Sequence, residues 1–245
     1  MRLSSFNPQR FTDSQLYLKE VDGSKLLIKA YLNKETFARR DMEIARNSRW
    51  ASCGFKVPEI LGMQCEEIAD PHVVMRYLQG ARLSEYLKDK EVDTPVKLKT
   101  LTSIFLKNYS RHDMALATQD ELLLHTDPNT DNIILDGEEV WFIDFEHISK
   151  PQDLLTGIGK EVATFSRRVI QDMGIEHAEK VIYVLLQAYQ FNTAMMDKLE
   201  ELTLKRPFQF IHRLKNAMKK KANPELVTRY DVAETLRLLR RNQPQ

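Results

Sequence analysis

The chain has 245 residues, of which 42% are hydrophobic and 29% charged, with a formal net charge of +1. That balance belongs to a globular chain and excludes a disordered, collagenous or membrane-embedded one, and the length suits one large domain or two joined lobes. Two cysteines, Cys53 and Cys65, are too few for a disulfide framework and match no zinc spacing. The apolar runs fall well short of the roughly 18 residues that cross a bilayer. Residues 1–8 lack the apolar stretch of a secretory signal, so the expected location is the cytoplasm.

Taken in chain order, residues 16–18 and 25–31 read as strands on either side of an Asp22-Gly23 hairpin turn. From Lys34 to about Trp50 the sequence changes to helix formers, with Phe37, Ala38, Asp41, Ile44 and Ala45 at helical spacing and Gly54 as a stop. Residues 57–62 and 73–78 read as two more strands, the second ending at Gly80. Residues 96–114 form an amphipathic helix through Leu98, Leu101, Ile104, Phe105 and Tyr109. Short strands at 132–135 and 140–143 flank a turn at 136–139, with Trp141 and Phe142 as core strand residues. Helical patterns then cover 159–172, 176–199, 208–221 and 231–241.

The charge is unevenly spread. From Lys205 to the end there are eleven basic and three acidic residues, so this stretch carries +8 and the rest of the chain −7. Residues 205–221 alone hold seven basic residues and no acidic one, interleaved with Phe208, Phe210, Ile211, Leu214 and Met218. Such a segment either packs as a terminal helix with its lysines in water or meets an anionic partner: a membrane surface, an anionic substrate or, less favoured, nucleic acid.

Chemistry concentrates between His125 and Glu146. Asp127, Asn132 and Asp144 supply what phosphoryl transfer from ATP needs, namely a carboxylate to position and deprotonate an acceptor hydroxyl and oxygen ligands for Mg²⁺. Any one of them alone reads as a turn former. Their joint spacing, His125-x-Asp127 followed by Asn132 and the pair Asp144-Phe145 across two apolar strands, is far more specific.

This segment resembles the catalytic and metal loops of the protein-kinase-like superfamily. The resemblance implies an α+β, two-lobed protein-kinase-like fold: an N-terminal lobe over residues 1–79, a small antiparallel sheet with one helix, and a mainly helical C-terminal lobe over residues 80–245. It implies Asp127 as catalytic base, Asn132 and Asp144 as Mg²⁺ ligands and His125 as a support of the loop. Upstream, Lys29 at the end of an apolar strand and Glu43 on the following helix match the phosphate-binding lysine and its glutamate partner. Their alternative reading is a solvated strand-end lysine and a surface glutamate paired with Arg39, Arg40 or Arg46. Met75 and Tyr77 fall where the backbone would bind adenine.

Departures select the branch. Thr126 and Asn129 replace the arginine and lysine of protein kinases, Asp144-Phe145-Glu146 replaces Asp-Phe-Gly, and no activation segment follows. This is similar to the choline kinase, aminoglycoside phosphotransferase and lipopolysaccharide-core sugar kinase families, which implies ATP and Mg²⁺ as cofactors and a hydroxyl of a small molecule or glycolipid sugar as acceptor. Glu146 is then a further metal carboxylate or a structural residue. Residues 205–221 would suit peripheral association with the inner face of a membrane. Only Gly23 occurs before Gly54, so no glycine-rich loop covers the phosphates. Residues 4–14 are the candidates to supply those donors. The alternatives are an atypical protein kinase or an ATP-binding pseudokinase scaffold whose basic tail meets a membrane or nucleic acid.

Overall fold

A computed structural model describes residues 14–32, 34–148, 153–190, 192–204 and 209–241. By its internal contacts the chain divides into two compact units, one of Met1–Ala81 with Asn132–Ser149, the other of Arg82–Asp131 with Lys150–Gln245. The sequence boundary at 79/80 leaves the 132–149 hairpin in the helical lobe; its packing groups it with the N-terminal sheet. Residues 4–13 and the start of the basic segment, residues 205–208, lie outside the described residues.

In the first unit, β1 (Ser14–Val21) and β2 (Ser24–Tyr31) pair antiparallel from Ser14↔Tyr31 to Val21↔Ser24. The two-residue turn between them, Asp22-Gly23, has φ of 50° and 77°, the doubly positive geometry that matches strand twist. β4 (His72–Arg76) lies between β2 and the two-residue β3 (Ile60–Leu61), giving the order β1-β2-β4-β3. The strand expected over 57–62 shrinks to β3 because Pro58 has no N–H to give a ladder. Alternation sends Leu26, Ile28, Ala30 and Val74 into one cluster with Cys65 and Ile68, while Tyr31, Val73 and Met75 form another.

α1 (Thr36–Ser52) contradicts its apolar pattern. Phe37, Ala38, Asp41, Ile44 and Ala45 all face water, whereas the buried residues are Glu43, Arg46, Asn47 and Trp50. Beyond β5 (Ala81–Arg82), a hairpin of β6 (Ile133–Asp136) and β7 (Glu139–Phe142) packs its end onto this buried side of α1. Trp50 stands edge-on to Phe55, Phe142 and Phe145, with ring centroids 5.7, 5.2 and 4.8 Å away. The Phe142 amide donates to the Lys56 carbonyl at 3.0 Å.

The second unit is helical, built from α2 (Leu83–Lys88), α3 (Thr94–Thr118), α4 (Leu154–Met173), α5 (Ala178–Ala188), α6 (Thr193–Leu204), α7 (Gln209–Ala222) and α8 (Arg229–Arg241). Leu101, Ile104 and Phe105 of α3 are buried, and Phe165 of α4 stands edge-on to Phe105. Val232, Ala233 and Leu236 bury one stripe of α8. The continuous helix expected over 176–199 is instead two: Gln190 turns left-handed at φ 52°, and Asn192 accepts the Met195 amide at 3.1 Å, which starts α6. Among the described residues no helix is long and apolar enough to cross a membrane.

Candidate active site

β2 alternates so that Leu26 and Ile28 enter the core, and Lys29, next in line, is drawn into a buried position by charge. Its ammonium lies 2.7 Å from Glu43 Oε2, 2.5 Å from Asp144 Oδ1 and 3.0 Å from Glu146 Oε2. β2 supplies the lysine, α1 the glutamate and the segment after β7 the other two carboxylates. Burial works against the charge of Lys29, but Glu43 and Asp144 outweigh it and hold the pKa well above its ordinary value. Burial pushes the Glu43 carboxyl upward, against the pull of Lys29. Tyr31 closes the inner side: its ring centroid is 5.5 Å from Lys29 Nζ, and burial, then Glu43, pushes its hydroxyl pKa up.

The segment carrying Asp144 is itself tied to α1. Glu43 Oε1 accepts the Phe145 amide at 3.2 Å. Arg46 donates through Nη1 to the carbonyls of Phe145 at 3.0 Å and His147 at 2.6 Å. Arg39 pairs with Glu146. Glu43 is not a surface residue paired with Arg39, Arg40 or Arg46: it is buried, and accepts from Lys29 and from the Phe145 amide. Asn132 is buried, and its carbonyl accepts the Ile143 amide at 3.0 Å, one residue before Asp144.

Lys29, Glu43 and Asp144 are thus brought together, with Asn132 one backbone hydrogen bond away. Met75 is buried in β4 between β2 and β3, and the Tyr77 amide donates to the Lys25 carbonyl at 3.1 Å. That donor is committed to the sheet, so an adenine at this strand end would need other backbone groups. Glu43, Asp144 and Glu146 each offer a carboxylate oxygen, all within 4.8 Å of one another. Clustered hard oxygen donors, three carboxylates against the two cations Lys29 and Arg39, fit a Mg²⁺ ion.

His125 and Asp127 belong to the second unit. Asp127 is exposed, and the loop around it is held at several points. The His125 amide donates to Glu161 Oε2 at 2.9 Å, the Thr130 hydroxyl to Asp172 at 2.5 Å, and the Ser84 hydroxyl to Asp131. Beneath it lies a network the sequence reading missed. Arg111, fully buried on α3, donates to Glu161 of α4, to the Leu123 carbonyl and, at 3.0 Å, to Asn108. Burial alone would raise the Glu161 pKa, but Arg111 drives it far below the carboxylate range. Burial lowers the His112 pKa, so the ring sits neutral, with Nδ1 2.9 Å from the Tyr189 hydroxyl and Nε2 3.2 Å from Glu161. No local signal marks Arg111 or Glu161, since each lies mid-helix with its partner 50 residues away.

No protein-family model matches the sequence, and comparison with curated proteins gives no match. In structure the chain is similar to "WaaP in complex with acyl carrier protein", with a TM-score of 0.56 over 89% of each chain and 14% sequence identity. At that identity the likeness speaks for the fold alone. The chain therefore has a two-lobed protein-kinase-like α+β fold, with an antiparallel-sheet N-terminal part and a mostly helical C-terminal part.

Proposed function

We propose that the protein is an ATP- and Mg²⁺-dependent phosphotransferase that moves the γ-phosphate to a hydroxyl of a small molecule or glycolipid sugar. The observation that carries this is the buried strand lysine, Lys29, held 2.7 Å from helix glutamate Glu43 with Asp144 beside it. Lys29 binds the α- and β-phosphates, and Glu43 keeps the ammonium aimed and charged. Asp144 and Asn132 hold Mg²⁺, with Glu146 in reach; the ion's chemistry is to neutralise phosphate charge. By its place in the motif, Asp127 orients the acceptor hydroxyl and takes its proton as the new O–P bond forms and the β–γ bridging bond breaks. The adenine site falls at the end of β4, near Met75 and Tyr77. The likeness to WaaP favours the lipopolysaccharide-core branch, and so a glycolipid sugar as acceptor.

The test is a thermal-shift titration with ATP, with and without Mg²⁺, followed by a transfer assay. Ligand that binds only the native state raises the melting temperature by mass action. The expected result is a shift that needs Mg²⁺ and is lost in Asp144→Ala, with Asp127→Ala keeping the shift but losing transfer. Unchanged transfer in Asp127→Ala would sink the assignment. A second reading, a non-catalytic ATP-binding scaffold, is favoured by one feature: the turn joining β1 to β2 is only Asp22-Gly23 and cannot wrap a phosphate. A nucleotide shift with no turnover of any acceptor would select it.

A further inference from the structure

The residues after β7 form a connecting segment, and such segments are ordinarily the mobile part of a fold. Asp144 also sits at φ 69°, a left-handed conformation that a non-glycine residue keeps only when its surroundings over-determine it. Those surroundings are one stripe of α1. Arg39, Glu43, Arg46 and Trp50 recur at steps of four, three and four residues, and therefore share a helix face. Each holds a different part of the segment: Arg39 the Glu146 carboxylate, Glu43 the Phe145 amide, Arg46 the Phe145 and His147 carbonyls, and Trp50 the Phe145 ring. Arg46 is buried, so its two carbonyl contacts are shielded from competing water.

We infer that Arg46 is a positioning residue for phosphoryl transfer: seconded by the Arg39–Glu146 pair, it clamps residues 145–147 onto α1 and so presets the Asp144 carboxylate for metal before any ligand arrives. This rests on the function proposed above, because Asp144 has a metal to hold only if that reading stands. Arg46 touches neither nucleotide nor metal in this account and acts through the backbone on either side of Glu146. The consequence is regulatory as well. A helix fastened to the metal-binding segment by its own buried stripe needs no phosphorylated activation segment to bring the two together, and the sequence provides none after Glu146.

Arg46→Gln and Arg46→Lys separate this from a merely structural role. The first readout is amide hydrogen exchange of the metal- and nucleotide-free protein. Arg46→Gln should speed exchange at Phe145 and its neighbours by about tenfold or more, the scale expected when buried charged hydrogen bonds are lost, with the β1–β2–β4 amides unchanged. Arg46→Lys, a single point donor, should restore part of the protection. The second readout is the Mg²⁺ concentration for half-maximal transfer, which should rise about tenfold in Arg46→Gln while metal-free nucleotide affinity holds. Unaltered exchange at 144–148 in a folded Arg46→Gln protein would overturn the clamp, as would a fall in kcat with no change in Mg²⁺ dependence. If Arg46→Gln does not fold, Arg39→Gln removes the Glu146 tie, together with contacts to the Leu32 carbonyl and the Tyr31 ring, while leaving Arg46 in place, and should give the same changes at smaller size; no change there overturns the inference. A wild type that shows exchange protection but no Mg²⁺-dependent nucleotide binding would instead count against the proposed function.

Discussion

Lys29 is the residue on which the first unit's electrostatics turn. Removing it leaves Glu43 buried with no cation, which typically destabilises by about 3–5 kcal/mol, whereas replacing a buried pair outright costs much less. Lys29→Met should therefore lower stability by about that amount in urea denaturation, and Lys29→Met/Glu43→Leu should recover most of it while nucleotide binding stays lost. In the second unit the same reasoning applies to Glu161→Gln, which leaves Arg111 without its carboxylate at no solvent exposure. His112 gives that network a pH signature. Its folded pKa is depressed by burial, so between that value and the ordinary one, near 6.5, the unfolded chain binds the extra proton. Stability should hold above about pH 6.5 and fall as pH drops below it, and His112→Gln should flatten that slope in urea titrations at several pH values. Glu161, with its pKa held far below the ordinary 4.5, adds a loss that begins as pH falls through that ordinary value and continues into strongly acid pH. Lys29, Glu43 and Asp144 were legible because each stands at a recognisable strand, helix or strand-end position. Arg46, Arg111 and Glu161 were not, because their partners are distant in sequence and their own neighbours are ordinary helix formers.

At the scale of elements, the β1–β2 hairpin and the apolar face of α3 were read closely, and the face of α1 was not. The β1–β2 hairpin follows from Asp22-Gly23, since a two-residue turn with both φ positive fixes the register of everything paired beyond it. α1 shows the opposite case. Its apolar residues are exposed and its buried face is polar, so periodicity of hydrophobic residues pointed to the wrong side: what the rest of the fold asks of this helix is charge pairing, with Trp50 the exception. The break between α5 and α6 was missed because no glycine or proline marks it, only Asn192 as a cap. Gly80, expected as a strand end, has a sharper role: φ is 142°, and a Cβ there would collide with the Leu135 carbonyl on β6. Gly80→Ala should destabilise by about 2 kcal/mol or more, where an unstrained Gly→Ala change would slightly stabilise, because backbone must move. A melting temperature unchanged in Gly80→Ala would refute that close approach.

At the scale of the whole molecule, charge separates along the chain. The last turn of α7 carries Lys219, Lys220 and Lys221, with Met218 beside them exposed, and Lys220 is partly neutralised by Asp231 at 2.5 Å. If the basic stretch meets an anionic membrane, vesicles rich in acidic lipid should sediment with the protein, and about 0.5 M salt, where screening is within a few ångströms, should release it. Equal binding to neutral vesicles would argue against that role. The two units are also labelled unequally by nature. Both tryptophans, Trp50 and Trp141, fall in the first unit, Trp50 enclosed by three phenylalanine rings and Trp141 with the Lys56 ammonium 5.4 Å above it. Indole fluorescence therefore watches the sheet unit alone, while far-ultraviolet dichroism is dominated by the helices of the other. Urea curves that coincide in the two signals mean one cooperative molecule; curves that part give the stability of each unit separately, without a single engineered probe.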